Sequence, residues 1–295
     1  MFDIDLITAT VAQGLIWSVM ALGVFLTFRL LDIPDLTVDG SFPLGAAAAA
    51  AVIASGHSVA LAMTAAVVAG ALAGAVTGFL TTKLRIPALL AGILTMIALY
   101  SVNLRIMGKA NIPLLGDDTL VTWFENWFAA PYGEFVLGAV FVLIAAELIY
   151  WFFGTELGTA IRATGFNPRM ARSQGINTNV MIVLGLMISN ALVACCGAVV
   201  AQSQGFADVG MGVGTIVIGL ASVIIGEVVV GNLSFKTSLI AVVLGSVLYR
   251  VVIMVVLALG MPPNDLKLFT AVIVALALSL PLVKGRAKRL FASAA

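Results

Sequence analysis

Charge is the scarcest property of this 295-residue chain, since only 10% of its residues are Asp, Glu, Lys or Arg. Soluble domains carry about 25%. The mean hydropathy is +1.16. A surface so poor in charge excludes an ordinary water-soluble protein and predicts a chain that folds in a lipid bilayer. The apolar runs continue for about 20 residues, as membrane helices require, whereas barrel strands alternate over about 10 residues.

Histidine, cysteine and nucleotide-binding motifs are also scarce. His57 is the single histidine, and the two cysteines, Cys195 and Cys196, are adjacent in an apolar run. Neighbouring residues on a helix point in different directions, which makes a disulfide or a shared metal site a poor prospect. The chain lacks GxxxxGK[ST], so it should not bind ATP through a P-loop. We therefore expect no catalytic residues, no metal site, no cofactor of its own and no nucleic-acid partner.

The apolar segments predict an all-α polytopic membrane protein with about eight or nine transmembrane helices. Nine can be drawn, at about 6–31, 40–55, 58–82, 88–107, 134–153, 179–203, 213–230, 238–260 and 268–283. We treat residues 1–295 as one transmembrane domain.

Lys and Arg set the expected orientation, because cytoplasmic loops are enriched in both. The ends of the apolar segments that carry Lys or Arg can all lie in the cytoplasm if the N-terminus is extracytoplasmic and the C-terminus is cytoplasmic. The residues concerned are Arg29, Lys83, Arg85, Arg162, Arg169, Arg172, Lys236, Lys284, Arg286, Lys288 and Arg289. In the alternative, segment 40–55 is re-entrant and the N-terminus is inside.

Residues 30–45, LLDIPDLTVDGSFPLG, interrupt what should be a helical hairpin. Prolines break helices, and ionised acids at membrane depth are costly and tend to be functional. One interpretation is a broken helix beside a solute path; the other is an ordinary cytoplasmic turn. The candidate path residues are Asp32, Asp35, Asp39, Gly40 and Phe42.

Residues 154–177 form a polar, basic island between two apolar runs, GTELGTAIRATGFNPRMARSQGIN. The pattern predicts two short helices, the first ended by Gly165 and the second begun by Asn167 as a cap before Pro168. Gly175 should end the second helix. A compact basic loop of this kind is a candidate binding site for a soluble partner of a membrane protein.

A few polar side chains are scattered through the apolar segments themselves. They are Asn103, Glu147, Asn190, Gln202, Glu227 and Arg250. Asn and Gln favour packing between helices, and Glu227 could pair with Arg250 or with the cytoplasmic loop. The glycines 70, 74 and 78 stand four apart and predict close helix packing inside the chain rather than a dimer interface.

These features together resemble the inner-membrane permeases of ATP-binding-cassette importers, in the group that includes branched-chain amino acid and ribose permeases. Three blocks carry the likeness: residues 21–50, with the acid- and glycine-rich break; residues 155–177, similar to the loop that docks on the ATPase; and residues 216–232, IVIGLASVIIGEVVVGN. The segment IPDLTVDGSFPLGAA resembles the corresponding segment of a tryptophan-type subfamily. Glu227 departs from the glycine-rich ending usual in the third block, so we carry no role onto it.

The resemblance implies a permease of the bacterial inner membrane, not an enzyme, that works as two copies with two cytoplasmic ATPase subunits and an extracytoplasmic solute-binding protein, among membrane lipids. ATP and Mg would be bound by the partner ATPase. It implies a coupling loop at 154–177, with Leu157, Ile161 and Phe166 in an ATPase groove. Asn167, Arg162, Arg169 and Arg172 complete the expected coupling set. The cargo would be a small solute such as an amino acid, with an aromatic one possible.

Two alternatives from other classes stay open on the sequence. An ion-coupled secondary transporter would suit broken helices, but the docking-like loop has no task there. An intramembrane enzyme would need a Ser–His or paired-Asp constellation, which the chain does not place at one depth.

Overall fold

The structure, a computed structural model, describes residues 4–128, 131–231 and 234–260, together with 268, 271, 272 and 275. Helices dominate these ranges. They are α1 Ile4–Phe25, a π-helical turn Leu26–Leu30, α2 Val38–Ala54, α3 Val59–Thr82, α4 Ala88–Met107, α5 Leu120–Trp127, α6 Tyr132–Gly154, α7 Glu156–Phe166, α8 Pro168–Ser173, α9 Thr178–Gln204, α10 Thr215–Val230 and α11 Phe235–Ala258. Two three-residue strands, β1 Asn111–Pro113 and β2 Phe206–Asp208, pair antiparallel.

The prediction of an all-α membrane protein is confirmed. Six of the described helices are long and apolar enough to cross a bilayer: α1 with its π-helical turn, α3, α4, α6, α9 and α11. The shorter apolar helices α2 and α10 match two more of the predicted segments. The ninth segment, 268–283, lies almost entirely outside the described residues, as do Lys284, Arg286, Lys288 and Arg289.

Glycine contacts hold α3 against α9 within the chain. A Cβ added at Gly70 would lie 2.4 Å from the carbonyl oxygen of Asn190, and one at Gly74 would lie 2.2 Å from that of Leu186. Gly78 meets Val183 in the same way. The stripe therefore serves internal packing, as expected, because only glycine lets the two backbones approach so closely.

The interruption at 30–45 begins at the loop end of the bundle and reaches the depth of the middle of α9. Asp35 is bonded to Asn190, which stands twelve residues after Thr178 in the 27-residue helix α9. At 1.5 Å per residue that is about 18 Å along the helix, close to its midpoint. The chain therefore turns back from the end of α1 through non-helical residues 31–37 and starts α2 inside the bundle. The interruption is therefore a broken helix that enters the bundle rather than a turn beyond its end, and its place beside a solute path stays a prediction.

Helix α10 is also short because it starts inside the bundle. After β2 the chain runs back toward the break, and Gly212 packs so closely that an added Cβ would lie 2.1 Å from the carbonyl oxygen of Asp39. Helix α10 then runs from Thr215 toward the end of the bundle that holds Arg29. Two non-helical segments thus meet near Asp39.

Candidate functional site

A buried polar network surrounds Asp35, whose relative exposure is 2%. Its Oδ1 accepts a hydrogen bond from the backbone N–H of Thr37 at 2.9 Å, and its Oδ2 accepts one from Asn190 Nδ2 at 2.7 Å. Ser41 Oγ in turn donates to Asn190 Oδ1 at 2.6 Å, so the Asn190 amide bridges Asp35 and Ser41. Burying a carboxyl group is costly unless it is hydrogen-bonded, so this network is what permits Asp35 at membrane depth.

The network continues to α3 and α4 through three threonines. Thr37 Oγ1 and Thr77 Oγ1 are 2.7 Å apart, and Thr77 Oγ1 lies 2.9 Å from Thr95 Oγ1. On the far side of the break, Asn103 Nδ2 donates to the Gly40 carbonyl oxygen at 3.3 Å. The break is therefore tied by side chains to α3, α4 and α9 at once.

Asp39 caps helix α10 from across the bundle. Its Oδ1 accepts from Thr215 Oγ1 at 2.9 Å and from the Ile216 N–H at 2.8 Å, and its Oδ2 accepts from the Gly214 N–H at 3.1 Å. Free N–H groups at a helix start need acceptors, and a negative charge there is favourable. A residue 175 positions earlier in the chain therefore fixes where α10 begins.

The other predicted path residues lie in different environments. Asp32 is exposed, with a positive φ of 54°. Gly40 faces α4, where an added Cβ would lie 3.0 Å from Met96 Cα. Phe42 is fully buried, with its ring centroid 5.2 Å from that of Trp17 on α1. The structure thus brings Asp35, Gly40 and Phe42 into the buried part of the bundle, with Asp39 half-buried beside them, and leaves Asp32 exposed.

The predicted basic loop forms two short helices, with one boundary different from that expected. Asn167 caps α8, its Oδ1 accepting from the Met170 N–H at 3.1 Å, and Pro168 is the first residue of α8. Gly175, with φ of 82°, follows α8 as predicted. Gly165 does not end α7, which continues to Phe166. It is needed instead for contact, since an added Cβ would lie 1.8 Å from the Leu30 carbonyl oxygen.

Helix α7 packs on the bundle through one face. A Cβ at Gly158 would lie 2.3 Å from the Phe152 carbonyl oxygen, and Ile161 has 0% relative exposure within the main hydrophobic core. The direct contact with a partner expected of Ile161 is therefore corrected to an anchoring role, because its side chain is enclosed by its own chain.

The opposite face of α7 and α8 carries large apolar and basic side chains. Phe166 has 94% relative exposure, Met170 61% and Leu157 52%. The remaining members of the predicted coupling set, Arg162, Asn167, Arg169 and Arg172, are also exposed. Two of them are held in place: the Arg162 guanidinium carbon lies 4.9 Å from the Phe235 ring centroid, and Arg172 Nε donates to Thr178 Oγ1 at 2.9 Å. We call Leu157, Arg162, Phe166, Arg169 and Met170 the outer face of the loop.

An ion pair joins the π-helical turn to α10 beside this loop. Arg29 Nε donates to Glu227 Oε1 at 2.6 Å, and Arg29 Nη2 donates to Glu227 Oε2. Glu227 has only 12% side-chain exposure. Glu227 therefore pairs with Arg29, not with Arg250 as considered above. Opposite charges at the inner ends of two apolar segments were the signal in the sequence.

A cleft of about 710 Å³ opens between the π-helical turn and α7. It is lined by Phe28, Arg29, Leu30, Asp32, Thr159, Arg162, Ala163, Gly165 and Phe166. Arg29 and Arg162 make its wall mainly basic. Within the described ranges, no three His, Cys, Asp or Glu side chains cluster so as to hold a metal ion.

Comparison with known proteins decides the family. A family model described as branched-chain amino acid transport system, permease component, matches residues 6–278. The chain belongs to this permease family. It is therefore the permease component of an ABC-type transport system and a multi-pass membrane protein, rather than a member of a catalytic family. Membership of an ABC-type family decides against the ion-coupled carrier.

Three relatives match over most of the permease. It is 42% identical over 268 residues to the tyrosine transport system permease protein of Clostridioides difficile (strain R20291), covering 91% of this chain and 88% of that one. It is 36% identical over 284 residues to an uncharacterized protein of Rickettsia prowazekii (strain Madrid E), covering 93% and 96%. It is 27% identical over 264 residues to the galactofuranose transporter permease protein YtfT of Escherichia coli (strain K12), covering 87% and 74%. No solved structure matches the chain significantly.

The sequence reasoning missed the partners of the acids. Asn190 was expected to serve helix packing, and no role was predicted for Thr37, Thr77 and Thr95. Nothing in the sequence distinguishes these threonines from others in the apolar segments. Only the helix contacts place them around the break.

Proposed function

We propose that this chain forms the solute path of an importer as a homodimer, with two cytoplasmic ATPase subunits and an extracytoplasmic solute-binding protein. The bacterial inner membrane is its site, with the loop end of the bundle cytoplasmic and the N-terminus outside. The ATPase subunits would bind ATP and Mg. The observation that carries the proposal is the outer face of the loop, which presents apolar and basic side chains on two helices fixed to the bundle.

The chemistry of this face suits a groove in a soluble subunit. Burying one large side chain such as Phe166 contributes about 1.5–3 kcal/mol. Arg169 and Arg172 are exposed on α8 and can meet carboxylates at the rim of such a groove, which favours encounter and register more than affinity. Helix-in-groove docking of this kind needs a few apolar anchors on one helical face.

Motion of the loop has a direct route to the break. Gly165 touches the Leu30 carbonyl, and Leu30 ends the π-helical turn that leads into residues 31–37. The Arg29–Glu227 pair connects the same turn to α10, whose other end is capped by Asp39. We infer that ATP-driven approach of two loops shifts the population between inward-open and outward-open arrangements of the two broken segments.

For the cargo we propose an amino acid, with an aromatic one favoured. The support is the relative at 42% identity that is named for tyrosine transport, together with the resemblance of residues 33–47 to the tryptophan-type subfamily. A relative named for galactofuranose matches at lower identity, so family membership by itself leaves the cargo class undecided.

The docking proposal is tested by co-purification with the ATPase encoded beside the gene. Phe166→Asp should lower the retained ATPase at least tenfold, since a central anchor of an interface contributes about 2 kcal/mol or more. Leu115→Asp is the matched control, because Leu115 is 88% exposed but lies in the loop after β1. Equal retention by both variants would show that the outer face is not the docking surface.

The cargo proposal is tested by uptake in cells that express the whole system. Labelled tyrosine, tryptophan, phenylalanine, leucine and ribose are compared in one panel. Faster accumulation of the aromatic amino acids is expected, and accumulation of ribose alone would overturn the amino acid assignment.

A further inference from the structure

A second cluster, separate from the Asp35 network and from the loop, surrounds Arg250. This residue lies in the span α11, and its guanidinium carbon is 4.1 Å from the ring centroid of Trp17 on α1. Its Nε is buried without a hydrogen-bond partner, and so is the indole Nε1 of Trp17. Buried donors are almost always satisfied, so two orphaned donors in one cluster require an explanation.

The neighbouring groups offer these donors no acceptor. In the part of the chain that the structure describes, Arg250 makes no ion pair, and Arg29–Glu227 is the pair observed. Cys196 is occupied, its Sγ donating to the Ile16 carbonyl oxygen at 3.3 Å.

The cluster is continuous with the break. The Trp17 ring lies 5.2 Å from that of Phe42, which stands three residues after Asp39 in α2. A cation, an indole and a phenyl ring therefore form a row from α11 through α1 to α2. Arg250 itself is half-buried, so it is not sealed into the core.

A cation in a membrane span with no ion pair among the described residues points to an anionic partner. Ionisable residues in spans are rare, face the protein interior or a solute path, and mark functional sites. The guanidinium group matches a carboxylate with two parallel hydrogen bonds, which lysine cannot reproduce.

We propose that Arg250 binds the carboxylate of the transported solute as it passes the break, with the Trp17 ring holding the guanidinium group in place. The inference rests on the proposed function and deepens it: the cargo class is a solute with a free carboxylate. Neutral sugars leave the Arg250 charge unpaired and are poor cargo. A lipid phosphate offers similar chemistry, so the test separates the two sources.

The first experiment measures uptake of labelled tyrosine by the permease, ATPase and binding protein reconstituted together in liposomes. Arg250→Gln is expected to lower uptake about ten- to hundredfold, as loss of a charge-assisted hydrogen bond predicts. Arg250→Lys keeps the charge and should lose less. Val252→Gln, at a position of 39% exposure on the same helix, should behave as wild type. Co-purification with the ATPase shows which variants assemble.

The lipid source is tested by repeating the assay in pure phosphatidylcholine and in phosphatidylcholine with phosphatidylglycerol. A solute site predicts the same loss for Arg250→Gln in both membranes. A loss confined to the phosphatidylglycerol membranes would mean that Arg250 binds lipid, and the proposal would be overturned.

The second experiment needs no variant and covers the case in which Arg250→Gln fails to assemble. Binding of labelled tyrosine to the wild-type permease–ATPase complex is measured without the binding protein, in competition with unlabelled tyrosine or tyramine. Tyramine lacks the carboxylate and should compete at least tenfold more weakly. Equal competition, or wild-type uptake by Arg250→Gln, overturns the proposal. Failure of the wild-type system to take up any amino acid would instead refute the proposed function.

Discussion

The cap that Asp39 provides for α10 yields the sharpest stability prediction. Asp39→Ala removes three acceptor contacts, to the Gly214 N–H, the Thr215 hydroxyl and the Ile216 N–H. Loss of a helix cap costs about 0.5–2 kcal/mol. Buried donors left without acceptors cost about 1–3 kcal/mol each, but these donors are only partly buried, and the Thr215 hydroxyl keeps the Gly212 carbonyl oxygen as an acceptor at 3.0 Å. Since the contacts belong to one group and are not additive, we expect a loss of about 3 kcal/mol in the free energy of unfolding.

Two further variants divide this loss into its causes. Asp39→Asn keeps one oxygen acceptor for Thr215 and Ile216 but removes the charge at the helix start, so a loss of about 1 kcal/mol is expected. Asp32→Asn is the matched control, because Asp32 is exposed and asparagine tolerates its positive φ of 54°. That change should stay within about 0.5 kcal/mol of wild type.

The assay is equilibrium unfolding of the detergent-purified permease with increasing sodium dodecyl sulfate, followed by helical circular dichroism. The order of stability expected is Asp32→Asn, then Asp39→Asn, then Asp39→Ala. If Asp39→Ala unfolds at the same detergent fraction as Asp32→Asn, the cross-bundle cap does not stabilise α10 and the reasoning fails.

Three other changes test the connections between the loop, the break and the helices. Gly165→Ala places a Cβ 1.8 Å from the Leu30 carbonyl oxygen, whereas Gly154→Ala meets nothing within 4 Å; the first should abolish uptake and the second should not, and equal uptake would refute the contact. Arg29→Gln and Glu227→Gln in a double-mutant cycle should show about 1–3 kcal/mol of coupling in the unfolding free energy, and additive effects would contradict the pair. Thr77→Val should cost about 1–2 kcal/mol because it leaves Thr37 without its hydroxyl partner, and wild-type stability would show that the threonine chain is dispensable.

Local signals in the sequence predicted much of the loop correctly. Asn167 and Pro168 start α8 because capping depends on residues within one turn. Gly165 was wrongly predicted to end α7, because local sequence was again the only guide. A glycine can end a helix or allow close approach, and only its contact with Leu30, 135 residues earlier, shows which role applies. Ile161 was expected in an ATPase groove, but its side chain turns toward its own bundle.

The break shows the same division. Proline and acidic residues in an apolar run predicted an interruption, because they cannot continue a membrane helix without penalty. Whether it lay in the cytoplasm or in the bundle depended on its partners. Asn190, Thr77 and Gly214 come from distant parts of the chain, and no period or spacing in the sequence connects them to Asp35 or Asp39.

By itself the sequence showed that the chain folds in a lipid bilayer, that it is helical, which family it resembles and where the basic loop lies. These features follow from hydropathy, proline placement and helix capping, which act over short distances along the chain. Only the tertiary structure showed that Asp35 of the break lies level with the middle of α9 and that Asp39 of α2 caps the start of α10. It also showed that Glu227 pairs with Arg29 and that Arg250 lies beside Trp17. Those relations are set by how helices pack, and packing brings together residues whose separation in the chain carries no information about their contact.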